Sequence, residues 1–216
     1  MALHNILQNA FLGLLLTFTT IPIAAHAETK TLVVAGGCFW CVESDFDHVK
    51  GVISTTSGYA GGDLKNPTYE NHEGNQEAVK VEYDPAIISY DKLISGFLRT
   101  IDVTDSGGQF CDRGNSYVSA IWTMNDAEKV AAEKAIKDGE AELGKKIVTP
   151  VKPFTTFTPA EDYHQNYYLG QNRVLTRFGW VKQSYAYEQY RLGCGRDAQV
   201  KAVWGKDAYP LQMGQK

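Results

Sequence analysis

Apolar and polar positions alternate most cleanly in "EAVKVEYDP" (77–85). Val79, Val81 and Tyr83 share one face, Ala78, Lys80 and Glu82 the other, and Pro85 ends the run. This is a strand. "TLVVAGG" (31–37) is a β-branched run closing on glycines, a buried strand followed by a tight turn. "CFWCVESDFDHVKG" (38–51) places apolar residues at 39, 42, 46 and 49 and ends at Gly51, a helical rhythm. "VISTTSGYAGG" (52–62) reads as a strand entering a glycine-rich loop, and "NPTYENHEGN" (66–75) as irregular. "SYDKLISGFLRTID" (89–102) is an amphipathic helix capped by Ser89. "VTDSGGQFCDRGNS" (103–116) is a long polar loop, of a length that often carries function.

In the second half, "YVSAIWTM" (117–124) is apolar on both faces and predicts a central strand. Residues 125–144 predict a helix, with Asn125 and Glu128 at capping-box spacing and Gly144 at its end. "IVTPVKPFTTFTP" (147–159) reads as one strand, kinked or at an edge because of its prolines. Residues 160–178 read as helical, and an aromatic-rich tail begins at about 179. Strands alternating with helices predict a two-layer α/β domain without internal repeats.

The 216 residues and 44% hydrophobic content allow one substantial core. Twenty-one basic against 25 acidic residues give a net charge of −4 with no basic block, which argues against nucleic acid as partner. Residues 1–27 contain no Lys, Arg, Asp or Glu, and the apolar run there ends in "AHA" (25–27). We read 1–27 as a signal peptide cleaved after Ala27, leaving 28–216 as a single domain in an oxidising, periplasmic compartment. An uncleaved membrane anchor is the alternative, because the n-region lacks Lys and Arg.

The chemistry concentrates in "AGGCFWC" (35–41), where two of the four cysteines flank Phe39 and Trp40. Thiolates, not thiols, act as nucleophiles, and a helix N-terminus stabilises them. Cys38 is placed for that, and Cys41 lies one turn on. Glu77 has the parity of the inward set, so a position inside the strand would bury its carboxyl and favour the protonated form, as a general acid requires. A position just outside the strand would carry no such meaning.

"GCFW", "SGYAGG", "NPTY", Glu77 before "AVKVEYDP", "GGQFCDRGNSY" and "PAEDYHQNYY" occur in that order between about residues 32 and 204. The ordered set resembles the peptide methionine sulfoxide reductase A family. The resemblance implies that Cys38 attacks the sulfoxide sulfur and becomes a sulfenic acid. It implies that Phe39 and Trp40 wall the S-methyl pocket and that Glu77 protonates the sulfoxide oxygen, which Tyr69 and Tyr117 hydrogen-bond. Asp112 and Tyr167 would complete the substrate site. Where the family usually has a histidine, this chain has Asn75, with His72 nearby; His164 is expected to be structural. The substrate implied is the S epimer of methionine sulfoxide, free or in proteins. No bound cofactor or metal is implied, and a monomer is expected. Alternation and resemblance together set the expected fold: an α/β (α+β) two-layer sandwich, a mixed sheet with packed helices around a ferredoxin-like core, and a long coiled C-terminal tail.

The sulfenic acid must be resolved. Cys194, glycine-flanked in the tail, and Cys41 are the two resolving choices; Cys111 is a participant or a bystander. The implied reductant is a thioredoxin-like dithiol protein. Three rivals stay in view: a general thiol–disulfide oxidoreductase using Cys38–Cys41, a four-cysteine zinc module, disfavoured because Cys111 and Cys194 are isolated, and a Cys–His hydrolase using His48, His72 or His164.

Overall fold

The computed structural model describes residues 28–211; the expected signal segment 1–27 lies outside the described residues. Strand β1 (Lys30–Ala35) leads into helix α1 (Phe39–Asp47), then β2 (Val52–Ala60), β3 (Gln76–Tyr83) and helix α2 (Tyr90–Leu98). A small hairpin follows, β4 (Gly108–Gln109) and β5 (Asp112–Arg113), then β6 (Ala120–Thr123) and helix α3 (Asp126–Leu143). Next come β7 (Val151–Pro153), β8 (Phe157–Pro159), a second hairpin of β9 (Arg173–Thr176) and β10 (Gly179–Lys182), and helices α4 (Gln183–Gly193) and α5 (Arg196–Trp204).

Six strands form one sheet in the order β7-β6-β1-β3-β2-β8, antiparallel except for the β6·β7 pair. The inner order β6-β1-β3-β2, with α1 and α2 as crossovers, is the expected ferredoxin-like core. The helix-facing side carries Leu32, Val34, Val79, Val81 and Ile121 under Phe39, Phe46, Leu93 and Phe97. The caps behave as their side chains dictate. Ser89 accepts from the Lys92 N–H, and Asn125 and Glu128 cap α3 reciprocally before Gly144 closes it in the left-handed conformation.

Residues 147–159 are not one strand. Pro150, Pro153 and Pro159 interrupt the backbone donors, and the segment splits into β7 and β8 on opposite edges of the sheet. Only residues 154–156 join them, a reach of about 14 Å at full extension, whereas the edges of a flat six-stranded sheet lie about 24 Å apart. The sheet therefore curls. Its concave side is lined by Val33, Ala35, Ala60, Ala78, Ala120 and Trp122, with Phe154 and Phe157 packed on them. Small side chains on that face permit the curl.

Three further expectations are corrected. The strand at 117–124 starts at Ala120, because Asn115–Tyr117 form a 3₁₀ turn. Residues 160–178 hold two 3₁₀ turns, Asp162–His164 and Tyr167–Leu169, and then β9, because Asn166 takes a left-handed conformation (φ 52°) that no helix continues. The tail is not a coil: it folds into β10, α4 and α5, pinned by the buried Arg196.

Candidate active site

The turn after β1 aims α1 at the sheet. Gly37 has φ +82°, and a Cβ there would stand 2.6 Å from Gln109 Cβ, so only glycine lets the 103–116 loop close onto this turn. Gln109 is buried and bridges both backbone groups of Asp102 across that loop. Cys38 is the N-cap of α1, 6% exposed, with Cys41 one turn on at 2%. Both are free thiols.

Glu77 lies inside β3, paired with Tyr59, so its inward parity holds. Its carboxylate oxygen accepts the Phe39 N–H at 2.9 Å, a first-turn donor of α1. Burial pushes its pKa up to about 8, against the pull of that N–H; Asp112 and Cys41 add to the rise. Glu77 is thus protonated at neutral pH, directly behind Cys38.

The expected thiolate on Cys38 is corrected. Burial, then Cys41, Glu77 and Asp112, push the Cys38 thiol well up. The hydrogen bond from Cys38 holds Cys41 down against burial, with Arg196 and Arg191 assisting. The two thiols are thus held unequal, Cys38 pushed up and Cys41 held down. The physical reason is burial first, and the Phe39 N–H at the start of α1 is taken by Glu77.

Aromatic rings wall the site. Trp40 stacks on Tyr167 (3.8 Å between centroids, 9°) and donates its indole N–H to His164 Nδ1 at 3.1 Å. That bond fixes Nδ1 as acceptor, and burial pushes the His164 pKa down to about 4, so the ring is neutral. The role of His164 is to orient Trp40. Glu43, one turn after Trp40, accepts the Asn166 N–H at 3.0 Å and thereby sets the turn that delivers Tyr167. Tyr69 lies over Phe39 and His164, its own N–H held by Glu161 at 3.0 Å. Burial raises both Tyr69 and Tyr117, and each feels the charges of Glu77, Cys38 and Asp112, so the phenols and acids share one site. Asn75 accepts the Gly62 N–H at 3.1 Å, and His72 stacks on Tyr59.

Asp112 sits where the β4–β5 hairpin meets α4. It accepts the Tyr190 O–H; burial raises its pKa while Tyr190, Arg196 and Arg177 oppose the rise. Cys111, beside it, is disulfide-bonded to Cys194 at the end of α4. The expected resolver Cys194 and the ambiguous Cys111 therefore form a second pair, on the surface side.

The sequence reading missed Tyr190 and Arg196. Tyr190 packs edge-on against Trp40 (6.3 Å, 82°) while binding Asp112. Arg196 is buried and donates to the Gly36 and Thr100 carbonyls at 2.9 and 3.0 Å, and with Arg191 it pairs with the buried Asp45 under Cys41. "EQYRLGCGR" carried both as a signal, but only α4 and α5 packing against α1 gives them a role.

A family model described as peptide methionine sulfoxide reductase matches residues 30–206. The chain is 46% identical over 199 residues to the peptide methionine sulfoxide reductase MsrA 2 of Rhizobium meliloti strain 1021, covering 91% of this chain and 94% of that protein. It is 44% identical to a Caulobacter vibrioides protein of the same name, over 86% of this chain and 91% of that one. Among solved structures, Mxr1 from Saccharomyces cerevisiae in reduced form superposes with a TM-score of 0.63 at 26% identity, covering 72% of this chain and 93% of that chain. Methionine sulfoxide reductase A of Corynebacterium diphtheriae gives 0.59 at 27%, over 71% and 84%. With this fold, this ring-walled cysteine and these relatives, the chain belongs to the peptide methionine sulfoxide reductase family.

Proposed function

We propose that this protein reduces methionine sulfoxide, of the S configuration at sulfur, to methionine in peptides and as the free amino acid. The observation that carries the reading is Glu77: a carboxyl kept protonated to about pH 8 and bonded to the residue next to Cys38. The S-methyl group lies among Phe39, Trp40 and Tyr167, and the sulfoxide oxygen points to Glu77, Tyr69 and Tyr117. The Cys38 thiol gives up its proton as it attacks, and that proton replaces the one Glu77 delivers. The Cys38 sulfur attacks the sulfoxide sulfur while Glu77 protonates the oxygen. Collapse releases methionine and leaves Cys38 as a sulfenic acid. Cys41 then attacks the Cys38 sulfur. The hydroxyl leaves as water with the Cys41 proton, and a Cys38–Cys41 disulfide remains.

Two electrons must return from a dithiol partner of the thioredoxin type. The outer pair offers the route. A groove of about 710 Å³ lined by Phe110, Cys111, Cys194, Ala198 and Gln199 runs along that disulfide. In this reading the Cys111/Cys194 dithiol reduces the inner disulfide by exchange, becomes oxidised itself, and is reduced by the partner at the groove. The apolar, charge-free segment 1–27 supports export, so the partner is an exported dithiol protein.

The test counts methionine formed per enzyme without reductant, starting from fully reduced protein. About two equivalents, with both disulfides mapped by mass spectrometry, support the relay; about one, with Cys111 and Cys194 still reduced, removes the outer pair from it. No methionine at all sinks the reductase reading and brings the thiol–disulfide oxidoreductase forward.

A further inference from the structure

Hairpin β9–β10 takes no part in this chemistry. Its register pairs Leu175 with Trp180 and Val174 with Val181. Neighbouring positions in a strand face opposite ways, so the two pairs lie on opposite faces of the ribbon. Val174 and Val181 face inward onto the cluster that contains Cys38, Cys41, Tyr167 and Tyr187. Leu175 and Trp180 face outward, 79% and 61% exposed. A cross-strand Leu–Trp pair left open to water is the kind of apolar surface that marks a docking place.

Charge narrows the occupant. Residues 173–182 carry Arg173, Arg177 and Lys182 and no carboxylate, on a chain whose net charge is −4. Position supplies the continuity. Arg177, in the ribbon's turn, lies beside Gly193, the neighbour of Cys194, and its charge reaches Asp112. The ribbon thus extends outward from the rim of the sulfoxide site. A methionine sulfoxide within a polypeptide carries its flanking residues out over that rim, and four extended residues span about 13 Å, the length of one ribbon strand.

We propose that the Leu175–Trp180 face of the ribbon binds the polypeptide flanking the sulfoxide, favouring apolar and acidic segments. The inference rests on the reductase reading and deepens it: the residues flanking the sulfoxide set which peptides are preferred. Leu175 and Trp180 supply apolar contact, and the three cations supply long-range attraction that salt weakens.

The test uses the full chain with three substrates: N-acetyl-methionine sulfoxide, a short peptide with leucine and aspartate around the sulfoxide, and the same peptide with lysine for each aspartate. The wild-type protein should turn over the acidic peptide with about tenfold higher kcat/KM than the basic one, and the gap should shrink in salt. L175S/W180S should raise KM for the acidic peptide about tenfold and leave N-acetyl-methionine sulfoxide and the reductant unaffected. Equal rates on the two peptides overturn the proposal, and that comparison needs no variant. So does a variant that loses the small substrate equally, which makes the ribbon structural, or one in which only the reductant KM rises, which makes it the reductant's dock. Failure of the wild-type protein on N-acetyl-methionine sulfoxide is a different result, because it removes the reductase reading itself.

Discussion

Cys38 and Cys41 lie one helical turn apart, buried and unbonded, whereas Cys111 and Cys194, 83 residues apart in sequence, are joined where a hairpin tip meets the end of α4. The inner pair is surrounded by charge: Arg196 and Arg191 beneath Cys41, Glu77 and Asp112 beside Cys38. The outer pair lines an open groove. The difference teaches a division of labour. Electrostatics in a dry site can make two neighbouring sulfurs unequal, but a dry site is closed to a protein reductant. A disulfide at a groove is open to one. The two pairs meet through Asp112, adjacent to Cys111 and within the field of Cys38.

The comparison breaks most sharply at the nucleophile. Cys38→Ser should lower methionine formation by about a thousandfold or more, since it removes the sulfur that attacks the sulfoxide. Cys111→Ser should leave the first methionine intact in a rapid-quench measurement and slow only later turnovers. If the two variants lost the first turnover alike, the inner and outer pairs would not be separate devices.

Beneath the inner pair, Arg196→Leu should cost about 3–5 kcal/mol, because it leaves the buried Asp45 with half its ion pairing and frees two buried carbonyls. Thermal unfolding of the reduced protein would show it. The same variant should raise the Cys41 pKa, visible in thiolate absorbance, since a positive neighbour is lost.

Glu77→Gln should reduce the first turnover by about 10²-fold or more. The wild-type rate should fall as pH rises through about 8, where the acid loses its proton, and the variant should lack that limb. Stability and activity of the wild-type protein share the same pH direction, but the substitution affects them oppositely. A carboxyl whose folded pKa is raised contributes stability that is complete below its unfolded value and lost as pH rises through the folded one. Glu77→Gln should therefore unfold at higher temperature than wild type above pH 8 while being the poorer enzyme.

Reducing the outer disulfide should cost about 2–4 kcal/mol, as expected for a crosslink closing a long loop. The first-turnover rate should fall only slightly if α4 stays docked through Arg191 and Arg196. A large fall would mean that the outer pair also holds the site's geometry, and the division of labour would be incomplete.

Much of this architecture is legible in the sequence because its signals are local. Period-two alternation gives Glu77 its inward parity, and Ser89, Asn125 and Gly144 mark helix ends through hydrogen bonds to their own neighbours. The losses come where distant contacts decide. The prolines of 147–159 foretell a break but not that its halves lie on opposite edges of a curled sheet. The aromatic tail reads as coil because α4 and α5 are weakly amphipathic; what fixes them is Arg196 reaching Gly36 and Thr100, 160 and 96 residues away. The Cys38 thiolate expectation misses burial, which only the packed fold around the site supplies. A helix N-terminus is visible in "GGCFWC", but that a glutamate 38 residues away takes its first free N–H is not.

The smallest expected effect tests the link between the two pairs. Tyr190 donates to Asp112 and places its ring edge against Trp40. Tyr190→Phe keeps the ring and removes the hydroxyl. The Tyr190 bond opposes the rise in the Asp112 pKa that burial causes, so its loss should raise that pKa further. The acid limb of the kcat/KM profile should then move to higher pH, with a loss of about fivefold at neutral pH, the size of one hydrogen bond. KM should carry most of the loss if Asp112 holds substrate, and kcat if it helps hold the proton. Combined with Cys194→Ser, Tyr190→Phe should give less than the product of the two separate effects, because both loosen the same junction of hairpin and α4. Independent effects would mean that Asp112 is positioned by its hairpin alone, and that the outer disulfide communicates with the inner pair only by exchanging electrons.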